Sequence, residues 1–463
     1  MIIRALQDSM LATAKFISTS CTGAGTAEMA FALISKTIND SQILRFPVSF
    51  RTLSCHAPRK HSASASCHAL PVTGSILPRN LLQEWSPRCH QLIRDHLAWI
   101  AEVTGTLDPP PCIFEDVQGC VPPKTWGPQD PFVVKAFKIA KAPLCTTQFC
   151  CTHQRQCPIL GLCTAADWET AGLPCPDYSR VGTRAKEEGP TGPVFICHAK
   201  RHIEKRTPVI LIENVQDRAL ELNLKMIEYL YGSSYDMEPV YVDCGDVGHQ
   251  GARRARVYVF LWHKERVCRV RPVEEVYQKV AATMQKWART QPSDYLLAGR
   301  QEVLREAEDL AFRRRMQIPA STYEDLDLTG LLLPREREAV SLLAAEYERT
   351  YKRRARDDPN LIAHLGDSPS RRCWSASSGR IPTVRMTGGL LWHFQSRRWL
   401  TSRERLAGMG LPVDDATAHA MGVPAVPTAD AKRAAAVCGN AMHFGTVSVL
   451  QLVGLVCFRT KDK

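Results

Sequence analysis

Two short runs of uninterrupted apolar residues constrain this chain more than anything else in it: Pro208-Val-Ile-Leu-Ile, which ends at Glu213-Asn-Val, and Arg256-Val-Tyr-Val-Phe-Leu-Trp. A strand with one wet face alternates apolar and polar residues. These two do not alternate, so both belong in a parallel sheet covered on its two faces. Another strand is expected over Ala14-Lys-Phe-Ile-Ser, followed by the turn Cys21-Thr-Gly-Ala-Gly-Thr and the helix-forming Ala27-Glu-Met-Ala-Phe-Ala-Leu-Ile. Such a turn brings backbone N–H groups and the positive end of a helix close to a ligand, and Gly23 and Gly25 allow that approach because they lack a Cβ. Pro111-Cys-Ile-Phe-Glu-Asp-Val reads as a strand ending in an acidic pair, the position where open α/β sheets place ligand contacts. The fold class expected is α/β, with helices on both faces of the sheet.

The 463 residues suit two domains, or one large α/β domain with a smaller insert. From about Asn39 to Arg79 the chain is rich in Ser, His, Pro, Cys and Thr without periodicity, and is expected to be a mobile loop. Patterning returns after Glu84, where Ser86 is placed to cap a helix that has Pro87 at its first position. From about Lys264 to Arg372 the character changes to charged helical segments, around 273–290, 299–316 and 335–355, which are expected to form a second, smaller domain. Its clusters Arg313-Arg-Arg and Lys352-Arg-Arg-Ala-Arg read either as a nucleic-acid face or, more plainly, as solvated helix faces.

Charge narrows the partners: 59 lysines and arginines against 47 acidic residues give +12, which favours a polyanion. The longest apolar run near the C-terminus, Val447 to Phe458, falls short of the roughly 18 residues a spanning helix needs, so no membrane partner is expected. Eighteen cysteines in so long a chain without a secretory pattern are expected to be mostly reduced thiols. That fits the nucleus, with cytoplasm or an organelle left open. Cys150, Cys151, His153, Cys157 and Cys163 crowd one connection, and four such ligands suffice for zinc, but the spacing shows no CxxC pair and no metal is assigned.

Gly172-Leu-Pro-Cys-Pro-Asp places Cys175 in a proline-flanked turn, and Glu213-Asn214 follow 38 residues after that cysteine. Arg254-Ala-Arg256, Leu400-Thr-Ser-Arg-Glu-Arg-Leu-Ala-Gly-Met-Gly-Leu-Pro and Cys438-Gly-Asn-Ala-Met-His come after them in that order. In this ordered series the chain resembles the DNA (cytosine-5)-methyltransferase family, over most of residues 14–264 and 380–457. The resemblance implies a Rossmann-like sheet that binds S-adenosylmethionine, in a catalytic domain over 1–264. A target-recognition domain over 265–399 and a C-terminal return over 400–463 would complete it.

The family's chemistry implies a role for each residue. Cytosine C5 is a poor nucleophile; a thiolate added at C6 turns the ring into an enamine whose C5 attacks a methyl group. Cys175 would be that nucleophile, in a loop that must favour its thiolate. Glu213 would protonate N3, Asn214 would hold the loop, Arg254 would donate toward the base or order Cys175, and Arg256 would make either a base contact or a phosphate contact or structural ion pair. The target base would be flipped out of duplex DNA, since a side chain cannot reach C6 inside the stack. For the cofactor, the resemblance implies Cys21, Gly23, Gly25 and Glu28 near the methionine part, Glu84 at the ribose, Asp116 at the adenine amine, with Pro174 and Asn440 beside them.

The chain departs from the family pattern in three places. Pro176 stands where glutamine or asparagine usually follows the cysteine, and Ala252 stands where glutamine usually precedes Arg254. The 39–79 segment separates the glycine turn from Glu84 by more than the family allows. Two alternatives stay open: cytosine-5 methylation of RNA, and an inactive nucleic-acid-binding homologue.

Overall fold

The structure is a computed structural model that describes residues 17–20, 26–40, 82–84, 87–104, 112–159, 167–174, 177, 185–216, 220–385 and 389–461. Two compact units emerge: residues 1–241, 256–276 and 451–463 form the first, residues 242–255 and 277–450 the second. The fold is mixed α/β. The segment expected to be a mobile loop lies outside the described residues, apart from Asn39 and Asp40 at the end of a helix.

The first unit is organised on a nine-stranded sheet. Its strands are β1 (Ile17–Ser20), β2 (Leu82–Gln83), β3 (Ile113–Phe114), β4 (Thr147–Cys150), β5 (Arg155–Pro158), β6 (Trp168–Gly172), β7 (Val209–Val215), β8 (Tyr235–Val242) and β9 (Arg256–His263). In space the order is β5-β4-β3-β2-β1-β6-β7-β9-β8. The strands from β3 to β7 run parallel, while β9 is antiparallel to β7 and the β4–β5 hairpin is antiparallel to β3. Chain order therefore reverses between β1 and β6.

Both apolar runs are buried as expected, residues 209–212 of β7 and 257–261 of β9, but only β7 joins the parallel part of the sheet, since β9 pairs with it antiparallel. Helices α1 (Thr26–Asp40), α2 (Pro87–Thr104), α3 (Phe132–Lys141), α4 (Gly192–Lys205) and α5 (Leu220–Tyr231) accompany the sheet. Phe114, Phe195, Ile210, Ile212, Ile227 and Val259 share one hydrophobic core, where each such side chain contributes about 1.5–3 kcal/mol by leaving water. A helix over Phe444–Cys457 packs closely: a Cβ on Gly454 would lie 2.3 Å from Trp168 of β6 and 2.6 Å from Phe260 of β9. Only glycine fits there. Within Ala431–Cys457 an 18-residue stretch reaches a mean hydropathy of 1.4, enough to cross a membrane, but the span is two helices and 78% of that stretch is buried in the fold.

In the second unit, helices α6 (Val273–Trp287), α7 (Arg300–Arg314) and α8 (Pro334–Tyr351) fall where the charged periodicity predicts them. They accompany a three-stranded antiparallel sheet, β10 (Ile362–His364), β11 (Leu391–His393) and β12 (Arg398–Trp399). This unit extends past the expected boundary at 399, to residue 450, and takes in 242–255. The reason is visible at Glu404, which is fully buried: it accepts both Arg398 guanidinium nitrogens at 2.7 and 2.8 Å, and the amides of Thr401 at 2.8 Å and Ala298 at 3.0 Å. That carboxylate ties the segment after residue 400 to the helical part. In the basic clusters, Arg313 pairs with Asp309, Arg314 with Glu336 and Arg354 with Asp357, so part of each cluster is neutralised locally.

Candidate active site

The carboxyl ends of five neighbouring strands in the first unit stand in one row. Phe114 is the register partner of Gln83, Gln83 of Ser20, Ser20 of Ala171, and Gly172 of Glu213. Glu84 and Asp116 follow the ends of β2 and β3, Pro174 follows β6, and Glu213 lies near the end of β7. The row spans the point between β1 and β6 where chain order reverses, which is where open α/β sheets bind ligands.

Glu213 and Asn214 occupy adjacent positions on β7, so their side chains leave opposite faces. The Glu213 carboxylate accepts a hydrogen bond from Arg256 Nε at 2.7 Å, and both side chains are mostly buried. Asn214 is buried; its Oδ1 accepts the Val215 amide at 2.8 Å, and its Nδ2 has no partner among the described residues. The two arginines of the Arg-Ala-Arg motif are used differently. Arg254, in the second unit, is buried and donates to the carbonyls of Cys438, at 3.3 Å, and of Ala441. Those carbonyls close the helix Ala431–Asn440, whose last residue, Asn440, is exposed.

Cys175 and Pro176 lie outside the described residues, as do Cys21, Gly23 and Gly25. The chain on either side of Cys175 is held. Pro174 is half-buried, and Asp177 is completely buried, with its Oδ2 accepting the Thr191 amide at 2.8 Å and the Thr191 hydroxyl at 2.6 Å. Thr191 immediately precedes α4, so the Asp177 carboxylate sits at the positive end of that helix. Gly189 makes room for it, because a Cβ there would lie 2.2 Å from the carboxylate. Sequence reading passed over Asp177; an acidic residue two positions past a turn and shortly before Gly-Pro-Thr-Gly-Pro is the signal that points to it.

Of the cofactor candidates, Glu28 is buried in the first turn of α1, where a carboxylate complements the helix end. Glu84 is buried, its amide bound to the Phe114 carbonyl at 3.1 Å and its carbonyl to His90 Nε2 at 2.5 Å. Asp116 caps the short helix Val117–Cys120 by accepting the Gln118 amide at 2.8 Å, and its carbonyl accepts Gln148 Nε2 of β4 at 2.5 Å. A carboxylate offers about four acceptor sites, so a capping role leaves capacity for a ligand.

A second buried polar group is absent from the sequence reading. Glu169 of β6 lies 3.4 Å from His198 Nε2 and 3.8 Å from His202 Nε2, with all three side chains buried. His198 Nδ1 meets the Tyr231 hydroxyl at 2.5 Å and His202 Nδ1 the Thr207 hydroxyl at 2.9 Å, His202 Nε2 has no hydrogen-bond partner among the described residues, and burial pushes both imidazoles down.

A family model described as C-5 cytosine-specific DNA methylase matches residues 161–442. No curated protein sequence matches the chain. Among solved structures, the Entamoeba histolytica methyltransferase EhMeth aligns over 95% of this chain and 98% of its own at 9% identity and TM-score 0.42. The S. pombe Dnmt2 methyltransferase gives 95%, 98%, 11% and 0.42 for the same quantities. An E. coli prophage protein described as a DNA modification methyltransferase gives 96%, 98%, 12% and 0.44.

Proposed function

This chain belongs to the C-5 cytosine-specific DNA methylase family, and from that premise we propose that it transfers a methyl group from S-adenosylmethionine to C5 of cytosine in DNA, through a covalent Cys175 adduct at C6 of a flipped base. The observation that carries this reading is the pairing of Gly172 with Glu213. Cys175 is three residues beyond Gly172, a tether of about 10 Å at full extension, so thiol and carboxylate start from neighbouring strand ends.

In this reading the Cys175 thiolate adds to C6, and negative charge develops toward N3 and O2. Glu213 delivers a proton at N3, where the stabilisation is greatest in the adduct. Arg256 orients that carboxylate and takes up charge beside it. Asn214, buried at the sheet end, would hold the loop that carries Cys175. Asp177 fixes the far end of the loop on α4. Arg254 positions its own segment through the carbonyls of Cys438 and Ala441. S-adenosylmethionine would supply an electrophilic methyl group. Cys21, Gly23, Gly25 and Glu28 would hold its methionine part, Glu84 its ribose and Asp116 its amine, with Pro174 beside them. The acceptors at the ends of β2 and β3 suit hydroxyl and amine donors.

The strand order β3-β2-β1-β6-β7-β9-β8, with β9 antiparallel, supports reading this sheet as Rossmann-like. Target recognition falls to the second unit, where Trp287 beside Lys286 and Phe312 beside Arg313 are almost fully exposed, a pairing of aromatic and cation suited to nucleic acid. A reducing compartment, the nucleus, fits the thiols. Labelled S-adenosylmethionine tests the proposal: label enters duplex DNA with the native chain and not with Cys175→Ala or Glu213→Gln. Label entering only structured RNA would move the substrate to RNA, and label entering neither would leave a binding protein.

A further inference from the structure

We propose that Cys112, Cys150, His153 and Cys157 form a structural zinc site at the edge of the nine-stranded sheet. Their ligand atoms all lie within 4.8 Å of one another. The sulfurs of Cys150, Cys112 and Cys157 approach a single atom, His153 Nδ1, at 3.3, 3.5 and 3.7 Å. One imidazole nitrogen has one in-plane lone pair and accepts one good hydrogen bond, so three thiols around it make a poor hydrogen-bonded set. They make a good metal set. With Zn–S near 2.3 Å and Zn–N near 2.05 Å, the sulfur-to-nitrogen edge of a tetrahedron is about 3.6 Å, the middle of the observed distances.

Burial and chemistry agree. Cys112, Cys150 and Cys157 are at most 1% exposed, so the four ligands close the site and leave no open position, as structural zinc requires. Three thiolates and one imidazole select a soft, tetrahedral ion, and binding releases the thiol protons to solvent.

The local sequence explains how the set assembles. Cys150-x2-His153-x3-Cys157 wraps the turn of the β4–β5 hairpin, and Cys112 is the residue just before β3. That hairpin needs a clamp: its four-residue strands join β3 through one register pair, Phe114 with Cys150, and the amide of Cys151 on the Ile113 carbonyl. Short hairpins are marginal alone. Gln148 of the hairpin also holds the carbonyl of Asp116, so a metal here would fix the turn after β3. Cys151 is adjacent in sequence and belongs to no such set among the described residues.

The test is the metal content of the full chain, purified without chelators, together with Zn2+ competition against a colorimetric chelator and Co2+ substitution. The site predicts one zinc per chain, tetrahedral thiolate–cobalt absorption, and zinc affinity at least about 100-fold weaker in Cys112→Ser and His153→Ala, beyond the effect of outer-shell partners. His153→Cys, which keeps four ligands, and Cys151→Ser retain the metal. Less than half an equivalent of zinc after supplying Zn2+, or unchanged affinity in Cys112→Ser and His153→Ala, overturns it. None of these readouts depends on methyl transfer.

Discussion

Gly172 and Glu213 are register partners on adjacent parallel strands, so the turn that carries Cys175 and the carboxylate of Glu213 leave the sheet side by side. Residues 209–212 of β7 are all buried, and a slip along the strand would draw Glu213 toward that apolar core, so burial fixes this register. The core therefore sets where Gly172 and Glu213 stand at the end of the sheet, the frame from which the proposed nucleophile and acid would work.

Replacing Glu213 with glutamine keeps the shape, removes the proposed proton donor and breaks the 2.7 Å ion pair with Arg256. Single-turnover methyl transfer should slow by about 100-fold or more, within the range for losing a general acid. A loss below about fivefold would remove Glu213 from the chemistry.

Asp177 acts through position. Asp177→Ala removes both bonds from Thr191, and a loop displaced by about 1 Å costs up to about 100-fold in rate. Asp177→Asn keeps an acceptor and should recover most of the rate, with cofactor affinity unchanged in both. Equal rates in the alanine and asparagine variants would contradict this.

Glu404 is a buried anion satisfied by Arg398 and two amides. Glu404→Ala leaves the Arg398 charge buried and uncompensated, at a cost of about 3–5 kcal/mol. Urea denaturation followed by a probe in the second unit measures it. An effect under about 1 kcal/mol would show that water reaches the site.

His96 on α2 is buried with neither ring nitrogen hydrogen-bonded among the described residues, and burial pushes its pKa from 6.5 to about 3. Between those values the unfolded chain carries one more proton than the folded one. Stability from this group is complete above the unfolded value and falls as pH drops below about 6.5, by up to about 1.4 kcal/mol per pH unit. His96→Leu should remove that share of the slope and raise stability at pH 7, both read from urea titrations at pH 7.5 and 5.5. An unchanged slope would place water at the ring.

Much of the frame was legible because it rests on local periodicity. β7 and β9 read as strands buried on both faces, and α6 to α8 fall where charged, helix-period segments occur. What stayed hidden depends on residues brought together through space. Cys112 is 38 positions before Cys150 and joins it only because β3 and β4 pair, so the sequence offered Cys150, Cys151, His153, Cys157 and Cys163 without showing that Cys112 completes the set. The second compact unit runs past 399 for a similar reason: composition changes there, but Glu404 reaches back to Arg398 and Ala298. In the Arg-Ala-Arg motif nothing sequential separates an arginine that meets Glu213 from one that meets helix-end carbonyls.

The covalent step is the centre of this account, and 5-fluorocytosine tests it, because fluorine at C5 blocks the elimination that would free the enzyme. Duplex DNA carrying that base, incubated with the native chain and S-adenosylmethionine, should give a denaturation-resistant protein–DNA species whose mass includes one methyl group, with the linkage mapped to Cys175. The Cys175→Ser variant should give none. A native chain that transfers methyl groups yet forms no such species, or forms it equally with serine at position 175, would contradict the account.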